Sequence, residues 1–90
     1  MSRLAQALAH VFGASPADNA VLYFSLDGCP ACAIAAPAIA QLARRRPVRR
    51  IDGSQRGVPD FKFPALAWRE GNRWKIAETA GDVVAAAEKL

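Results

Sequence analysis

The chain has 90 residues, and its 12 Lys and Arg residues outnumber its 8 Asp and Glu residues, which makes the formal net charge +4. Its composition, 52% apolar and 22% charged, is typical of a globular protein and excludes a disordered chain. The only two cysteines share one Cys-x-x-Cys, which excludes a disulfide framework linking distant segments, and the apolar stretches are too short to span a membrane. We predict a single domain, since this length leaves too little core for two.

Residues 1–14 predict an amphipathic helix, because apolar side chains recur there with helical spacing. They are Leu4, Ala7, Leu8, Val11 and Phe12. Gln6 and His10 interrupt the apolar run that a secretory signal peptide requires. We therefore expect a cytoplasmic protein.

Residues 20–26 are almost continuously apolar, which is typical of a central strand covered on both faces. Asp27 and Gly28 end this strand, and Pro30 suits the first position of a helix, which we expect to run to about Arg46. The helix contains an apolar stripe that can pack on the sheet. Its members are Ile34, Ala35, Ala38, Ile39 and Leu42.

The segment 48–52 predicts a short strand parallel to the first, since the intervening helix supplies the crossover that parallel strands require. Residues 65–69 and 73–78 predict a β-hairpin, with Gly71 taking the turn conformation that other residues avoid. A last helix is expected to begin at Gly81 or Asp82. Its sheet-facing residues would be Val83, Val84 and Ala87. These elements predict an α/β fold with a four-stranded mixed sheet flanked by helices.

The cysteines lie in DGCPACAIAAP, where a strand passes into a helix. A thiolate is the form that attacks a disulfide, and the positive end of a helix dipole favours a thiolate at Cys29. Cys32 follows one turn later on the same face, close enough to form a disulfide with Cys29. We predict that Cys29 is the attacking nucleophile and that Cys32 is the resolving thiol.

Three alternatives to a redox pair remain open. A structural zinc site usually needs four ligands, whereas this motif supplies two and His10 belongs to another helix, so we expect no metal within one chain. A zinc or iron-sulfur site shared between two chains through Cys29 and Cys32 is the second possibility. The cysteines can also be plain buried residues.

Five arginines cluster in RRRPVRR, residues 44–50. A basic cluster of this kind can bind nucleic acid, but no aromatic residue interleaves with these arginines to stack on bases. Arg44, Arg45 and Arg46 suit the end of a helix, where cations offset the negative end of the dipole. We therefore expect neither a nucleic-acid partner nor a membrane partner.

CPAC at a strand-to-helix turn, followed by Pro37, resembles the active-site helix of the thioredoxin and glutaredoxin superfamily, which a proline kinks at this offset. KFPALAWREGNRW, residues 62–74, resembles the strand and turn that follow the family's cis-proline, with Pro64 at that proline's position. The resemblance covers residues 20–90 and implies a thioredoxin-like fold, here with an extra N-terminal helix.

The resemblance also implies a function, thiol-disulfide exchange without a cofactor. Its partners would be a protein disulfide or a low-molecular-weight thiol, with a reductase or glutathione as electron donor. It implies that Pro64 is cis and faces the dithiol, and that the backbone of Phe63 pairs with an extended substrate. Pro30 and Ala31, between the cysteines, would also contact substrate. A thioredoxin-fold binding module without redox activity is the rival interpretation.

Two side chains near the motif bear on the direction of thiol-disulfide exchange and on its proton transfer. Ala31 offers the thiolate neither a hydrogen-bond donor nor a charge, so we expect a reductant or general exchanger rather than a strong oxidant. Tyr23 stands where thioredoxins carry a buried acid that assists proton transfer.

Overall fold

The computed structural model describes residues 20–56, 58, 60–71 and 73–90, and it shows an α/β fold with a four-stranded mixed sheet and two helices. The elements in chain order are β1 (Val21–Ser25), α1 (Pro30–Ala43), β2 (Val48–Asp52), β3 (Ala65–Glu70), β4 (Arg73–Glu78) and α2 (Ala80–Lys89). Their order is the predicted one. The predicted helix at residues 1–14 lies outside the described residues, so two helices are described where the sequence predicts three.

The strands lie in the order β2-β1-β3-β4. β1 and β2 are parallel, as predicted, while β3 is antiparallel to both β1 and β4. Because Phe24 pairs with Ala65, the carboxyl end of β1 and the start of β3 lie at the same end of the sheet. The turn that contains the cysteines and the Phe63–Pro64 segment therefore leave the sheet at one end.

Both helices pack on one face of the sheet, which we call the helical face. Strand residues alternate between faces, so Val21 and Tyr23 of β1 point toward the helices. The buried cluster on this face consists of Val21, Tyr23, Ala35, Ile39, Leu42, Leu66, Ala77, Val83 and Ala87. The predicted packing of Val83 and Ala87 is confirmed, and Val84 lies half-buried at the margin of the cluster.

The apolar stripe of α1 is narrower than predicted. Ala35, Ile39 and Leu42 are fully buried, and Ala38 is half-buried. Ile34 does not face the sheet, because 67% of its surface is exposed. The buried residues recur at i, i+4 and i+7, which places them on the side of α1 that faces the sheet. Ile34 lies outside this stripe and lines the groove between α1 and α2.

α1 ends at Ala43 rather than at the predicted Arg46. The N–H of Arg44 donates to the carbonyl of Gln41 at 3.2 Å, and the N–H of Arg46 donates to that of Leu42 at 3.0 Å, so the last carbonyls are satisfied by a terminal turn. Arg45 donates to the carbonyl of Ala87 in α2 at 2.8 Å. This arginine stabilises the helix ends, as predicted for the cluster.

Other boundaries differ by one or two residues. β1 is shorter than residues 20–26, and β3 extends one residue beyond 69. α2 begins at Ala80, before the predicted Gly81, with Thr79 preceding it at a φ of 71°. Gly71 has a φ of 61° in the hairpin turn, which confirms the reason for predicting glycine there.

The opposite sheet face, which we call the aromatic face, has its own cluster. Four fully buried strand residues form its centre: Leu22, Phe24, Ala65 and Ala67. The side chains packed around them are Ile51, Val58, Phe61, Phe63, Trp74 and Ile76. The rings of Phe24 and Phe61 meet edge to face with their centroids 5.0 Å apart. This geometry is the preferred one for aromatic pairs.

Candidate functional site

The cysteine motif begins at a tight turn after β1. Gly28 has a φ of 72°, a conformation that side-chain-bearing residues rarely adopt, and the N–H of Cys29 donates to the carbonyl of Leu26 at 3.3 Å. The turn lets α1 start directly beside the carboxyl end of β1. It places Cys29 at the surface where strand and helix meet.

Cys29 is the N-cap of α1. Its Sγ accepts a hydrogen bond from the N–H of Cys32 at 3.1 Å, and Pro30 takes the first helical position, where a missing N–H has no cost. In the reduced protein, an N–H aimed at the sulfur and the positive helix end both favour the thiolate over the thiol. The predicted position of Cys29 at a helix N-terminus is confirmed.

Cys29 and Cys32 form a disulfide, with their Cα atoms 5.2 Å apart. The two residues differ in access to solvent, since Cys29 is half-buried while Cys32 is only 7% exposed. A disulfide at this spacing is compatible with redox chemistry. The difference in exposure means that an incoming molecule meets Cys29 first.

Tyr23 lies beneath the disulfide on the helical face. Its hydroxyl donates to the carbonyl oxygen of Cys32 at 3.4 Å, which ties β1 to the first turn of α1. Burial raises the pKa of Tyr23 above its usual value of 10.0, and the positive charge of Arg50 partly opposes this increase. Tyr23 therefore remains a neutral hydrogen-bond donor at neutral pH.

Arg50 belongs to the surroundings of the disulfide, although the sequence did not single it out. In the parallel register of β1 and β2, Arg50 pairs with Tyr23. Val48 packs on the helical cluster, and alternation along β2 puts Arg50 on the same face. The alternation of side chains along β2 was visible in the sequence. It placed Arg50 near the cysteines only once the register between β1 and β2 was known.

An open cleft of about 480 Å³ lies beside the disulfide. Its lining residues are Tyr23, Ser25, Leu26, Asp27, Gly28, Cys29, Pro30, Cys32, Ala33, Ala36 and Arg50. Of the predicted site residues, the cleft brings together Cys29, Pro30 and Cys32. The other three, Ala31, Phe63 and Pro64, are not among its lining residues.

The Phe63–Pro64 segment reaches the same end of the sheet, and the Phe63 side chain packs on the aromatic face. The peptide bond between them is cis, as the resemblance implies. Pro64 is buried and its carbonyl accepts a hydrogen bond from the N–H of Thr79 at 3.0 Å, which joins this segment to the start of α2. Phe63 is half-buried, as is Ala31 in the first turn of α1. Their contact with substrate stays a prediction.

The described residues contain no group of three or more His, Cys, Asp and Glu side chains placed to hold a metal ion. His10, the one histidine of the chain, lies outside these residues. Neither α1 nor α2, the helices of the described part of the chain, has the length and apolar character needed to cross a bilayer.

Comparison with known proteins supports the fold. No family model matches the chain, and no curated protein matches it. A solved structure described as "Structure of a malarial protein" is similar to it, with a TM-score of 0.56 and 18% sequence identity. The similarity covers 78% of this chain and 93% of the other. At this identity the likeness shows a shared fold.

Proposed function

We propose that this protein is a thiol-disulfide oxidoreductase with a thioredoxin-like fold, in which Cys29 attacks and Cys32 resolves. The observation that carries the proposal is the disulfide at the start of α1. Cys29 is half-buried and its Sγ accepts a hydrogen bond from the N–H of Cys32, which is buried. This arrangement gives one sulfur access to a partner and places the second sulfur behind it. It is the geometry that two-step exchange requires.

The reaction follows from the reduced form of the pair. The Cys29 thiolate attacks one sulfur of a substrate disulfide, forms a mixed disulfide and expels the other substrate sulfur as a thiolate, which takes up a proton. Cys32 then loses its proton and attacks Cys29 Sγ, which releases the second substrate thiolate. Two electrons pass from the dithiol to the substrate, and the protein is left with the disulfide seen in the structure. Restoring the dithiol requires a thiol reductant.

The architecture supports the thioredoxin-like part of the proposal. The described chain runs β-α-β-β-β-α with strand order β2-β1-β3-β4, and a cis peptide precedes β3. These features accompany a Cys-x-x-Cys at the strand-to-helix turn, as in the superfamily that the sequence resembles. We include in the proposal that the backbone of Phe63 pairs with an extended protein substrate.

The expected direction is reduction in the cytoplasm. The side chain of Ala31 adds no donor and no charge to the N–H that Cys32 already directs at Cys29 Sγ. A thiolate stabilised only by the helix start is less favoured than one with additional partners, so the disulfide is a weaker oxidant. A protein disulfide or a low-molecular-weight thiol would be the partner, with a reductase or glutathione supplying electrons.

The reduction potential of the cysteine pair tests the proposal first. We expect a two-electron transition between roughly −200 and −270 mV when the protein is equilibrated in dithiothreitol or glutathione buffers and free thiols are counted by mass after alkylation. Failure to form the dithiol and disulfide reversibly would contradict exchange. Bound zinc or an iron-sulfur absorption band in the purified protein would favour the shared metal site instead.

Single cysteine variants test the two roles. Cys29→Ser should abolish reduction of a protein disulfide such as insulin, whereas Cys32→Ser should accumulate the mixed disulfide through Cys29, detectable by mass. Circular dichroism spectra that match the wild type would show that both variants fold. A wild-type protein that shows no turnover, together with a Cys29→Ser variant that still binds its partner, would support the binding-module interpretation.

A further inference from the structure

The cleft beside the disulfide contains a positive charge that the exchange steps do not use. Arg50 lines this cleft together with Cys29 and Cys32, and it reaches the cleft from β2, at the edge of the sheet. Its side chain is exposed, so it can meet a molecule that approaches Cys29 from solvent. The cleft is therefore charged on its β2 side.

Tyr23 lies between Arg50 and the cysteines and contacts the backbone of Cys32. Arg50 pairs with Tyr23 across the strands, and the electrostatic influence of its guanidinium extends to the tyrosine hydroxyl. That same hydroxyl donates to the carbonyl of Cys32 at 3.4 Å. The Tyr23 hydroxyl, which the Arg50 charge influences, is thus one hydrogen bond away from the backbone of Cys32.

We infer that the cleft selects disulfides that bear a negatively charged group close to the reacting sulfur, and that Arg50 recognises this group. The inference rests on the exchange reaction proposed above and adds its substrate class. When Cys29 Sγ bonds to a substrate sulfur, the group attached to that sulfur is held beside the cleft. A carboxylate on this group can then meet the planar guanidinium, which matches carboxylate geometry with two parallel N–H donors.

Asp27 acts in the opposite sense. It lines the cleft from the turn that precedes Cys29, and its side chain is exposed. In the reduced protein the Cys29 thiolate adds a second negative charge, which the positive end of the α1 dipole and the N–H of Cys32 offset in part. Among the lining residues, Arg50 supplies the full positive charge that can attract an anion. Removing Asp27 should accordingly strengthen the preference, while removing Arg50 should weaken it.

Three small disulfides of similar size test the inference. They are 3,3′-dithiodipropionate, which is dianionic, bis(2-hydroxyethyl) disulfide, which is uncharged, and cystamine, which is dicationic. Stopped-flow measurement on the reduced protein gives the rate constant for each. Arg50→Gln should lower the rate with dithiodipropionate roughly threefold, leave the hydroxyethyl disulfide unchanged and raise the rate with cystamine, since exposed charge pairs are weak. The effect should shrink at high salt.

Arg49→Gln is the matched control, because Arg49 precedes Arg50, is also exposed and points to the aromatic face. It should leave the ratio of the three rates unchanged, and Asp27→Asn should raise the ratio of the dithiodipropionate rate to the cystamine rate. An equal change with all three disulfides in Arg50→Gln would show that Arg50 acts on the thiolate and would overturn the inference, as would no change. A wild-type protein that reduces none of them would contradict the exchange reaction itself.

Discussion

The two faces of the sheet are built from different side chains. The buried cluster of the helical face is aliphatic apart from Tyr23, with Trp68 packed half-buried against it, and small residues such as Ala35 and Ala87 let two helices approach closely. The aromatic face is packed with rings, and an irregular segment that includes Phe61 and Phe63 contributes to it. A helix has a regular surface that small and aliphatic side chains fit, whereas large rings fill the uneven space beside irregular backbone.

Each face contributes a different part of the candidate site. The cysteines come from α1 on the helical face, where the helix start defines the position of Cys29 Sγ. Phe63 packs on the aromatic face, and the Phe63–Pro64 segment reaches the same end of the sheet. Close packing around α1 thus supports the cysteine pair, and irregular backbone supplies the predicted substrate contact. The following variants probe this difference.

The largest effect is expected on the helical face. Leu42→Ala should lower the free energy of unfolding by about 2 to 5 kcal/mol, because Leu42 is fully buried and the closely packed helices leave a cavity in its place. Urea denaturation followed by circular dichroism measures this change. Ile34→Ala on the same helix is the control, with an expected change within about 0.5 kcal/mol, since Ile34 is exposed. Equal losses in the two variants would contradict the described orientation of α1.

A smaller effect is expected on the aromatic face. A Cβ added at Gly53 would lie 2.5 Å from Cε1 and 2.7 Å from Cζ of Phe63, so Gly53→Ala must displace the Phe63 ring. We expect a loss of stability of about 1 to 3 kcal/mol, the usual cost of overpacking, with the lower end favoured if the ring can rotate away.

Gly81→Ala is the control for Gly53→Ala. A Cβ at Gly81 meets no atom within 4 Å, and the position lies in the first turn of α2, so alanine should raise stability by up to about 1 kcal/mol. Urea denaturation of both variants measures the difference. A Gly53→Ala variant as stable as the wild type would show that the Phe63 segment adapts freely.

The smallest effect concerns Tyr23, whose side chain carries the hydroxyl of the buried cluster on the helical face. Burial raises its pKa in the folded protein above 10.0, so the tyrosine favours the folded state below that pH and this contribution is lost as the pH rises further. Tyr23→Phe should be slightly less stable than the wild type near neutral pH because it lacks the hydrogen bond to Cys32. The difference should narrow or reverse in urea denaturation at alkaline pH. A difference that is independent of pH would contradict burial of the hydroxyl.

The sequence by itself determined the six described elements and their order. Periodicity, Pro30 at a helix start and Gly71 in a turn are local signals, since each depends on the backbone preferences of a few neighbouring residues. The same signals placed Cys29 at a helix N-terminus, where the structure shows its Sγ accepting a hydrogen bond from the N–H of Cys32. Boundaries were less accurate because helix ends depend on terminal turns such as the one at Arg44–Arg46.

Only the tertiary structure decided which side chains meet. Ile34 and Ala35 are adjacent and both apolar, and the helix pattern alone did not determine that Ala35 is buried while Ile34 is exposed. Arg50 approaches the disulfide because β1 and β2 pair in one particular register, and the space at Gly53 is needed by a ring ten residues away. These contacts join segments that are distant in the chain. Their geometry follows from how the layers pack together, which no local pattern encodes.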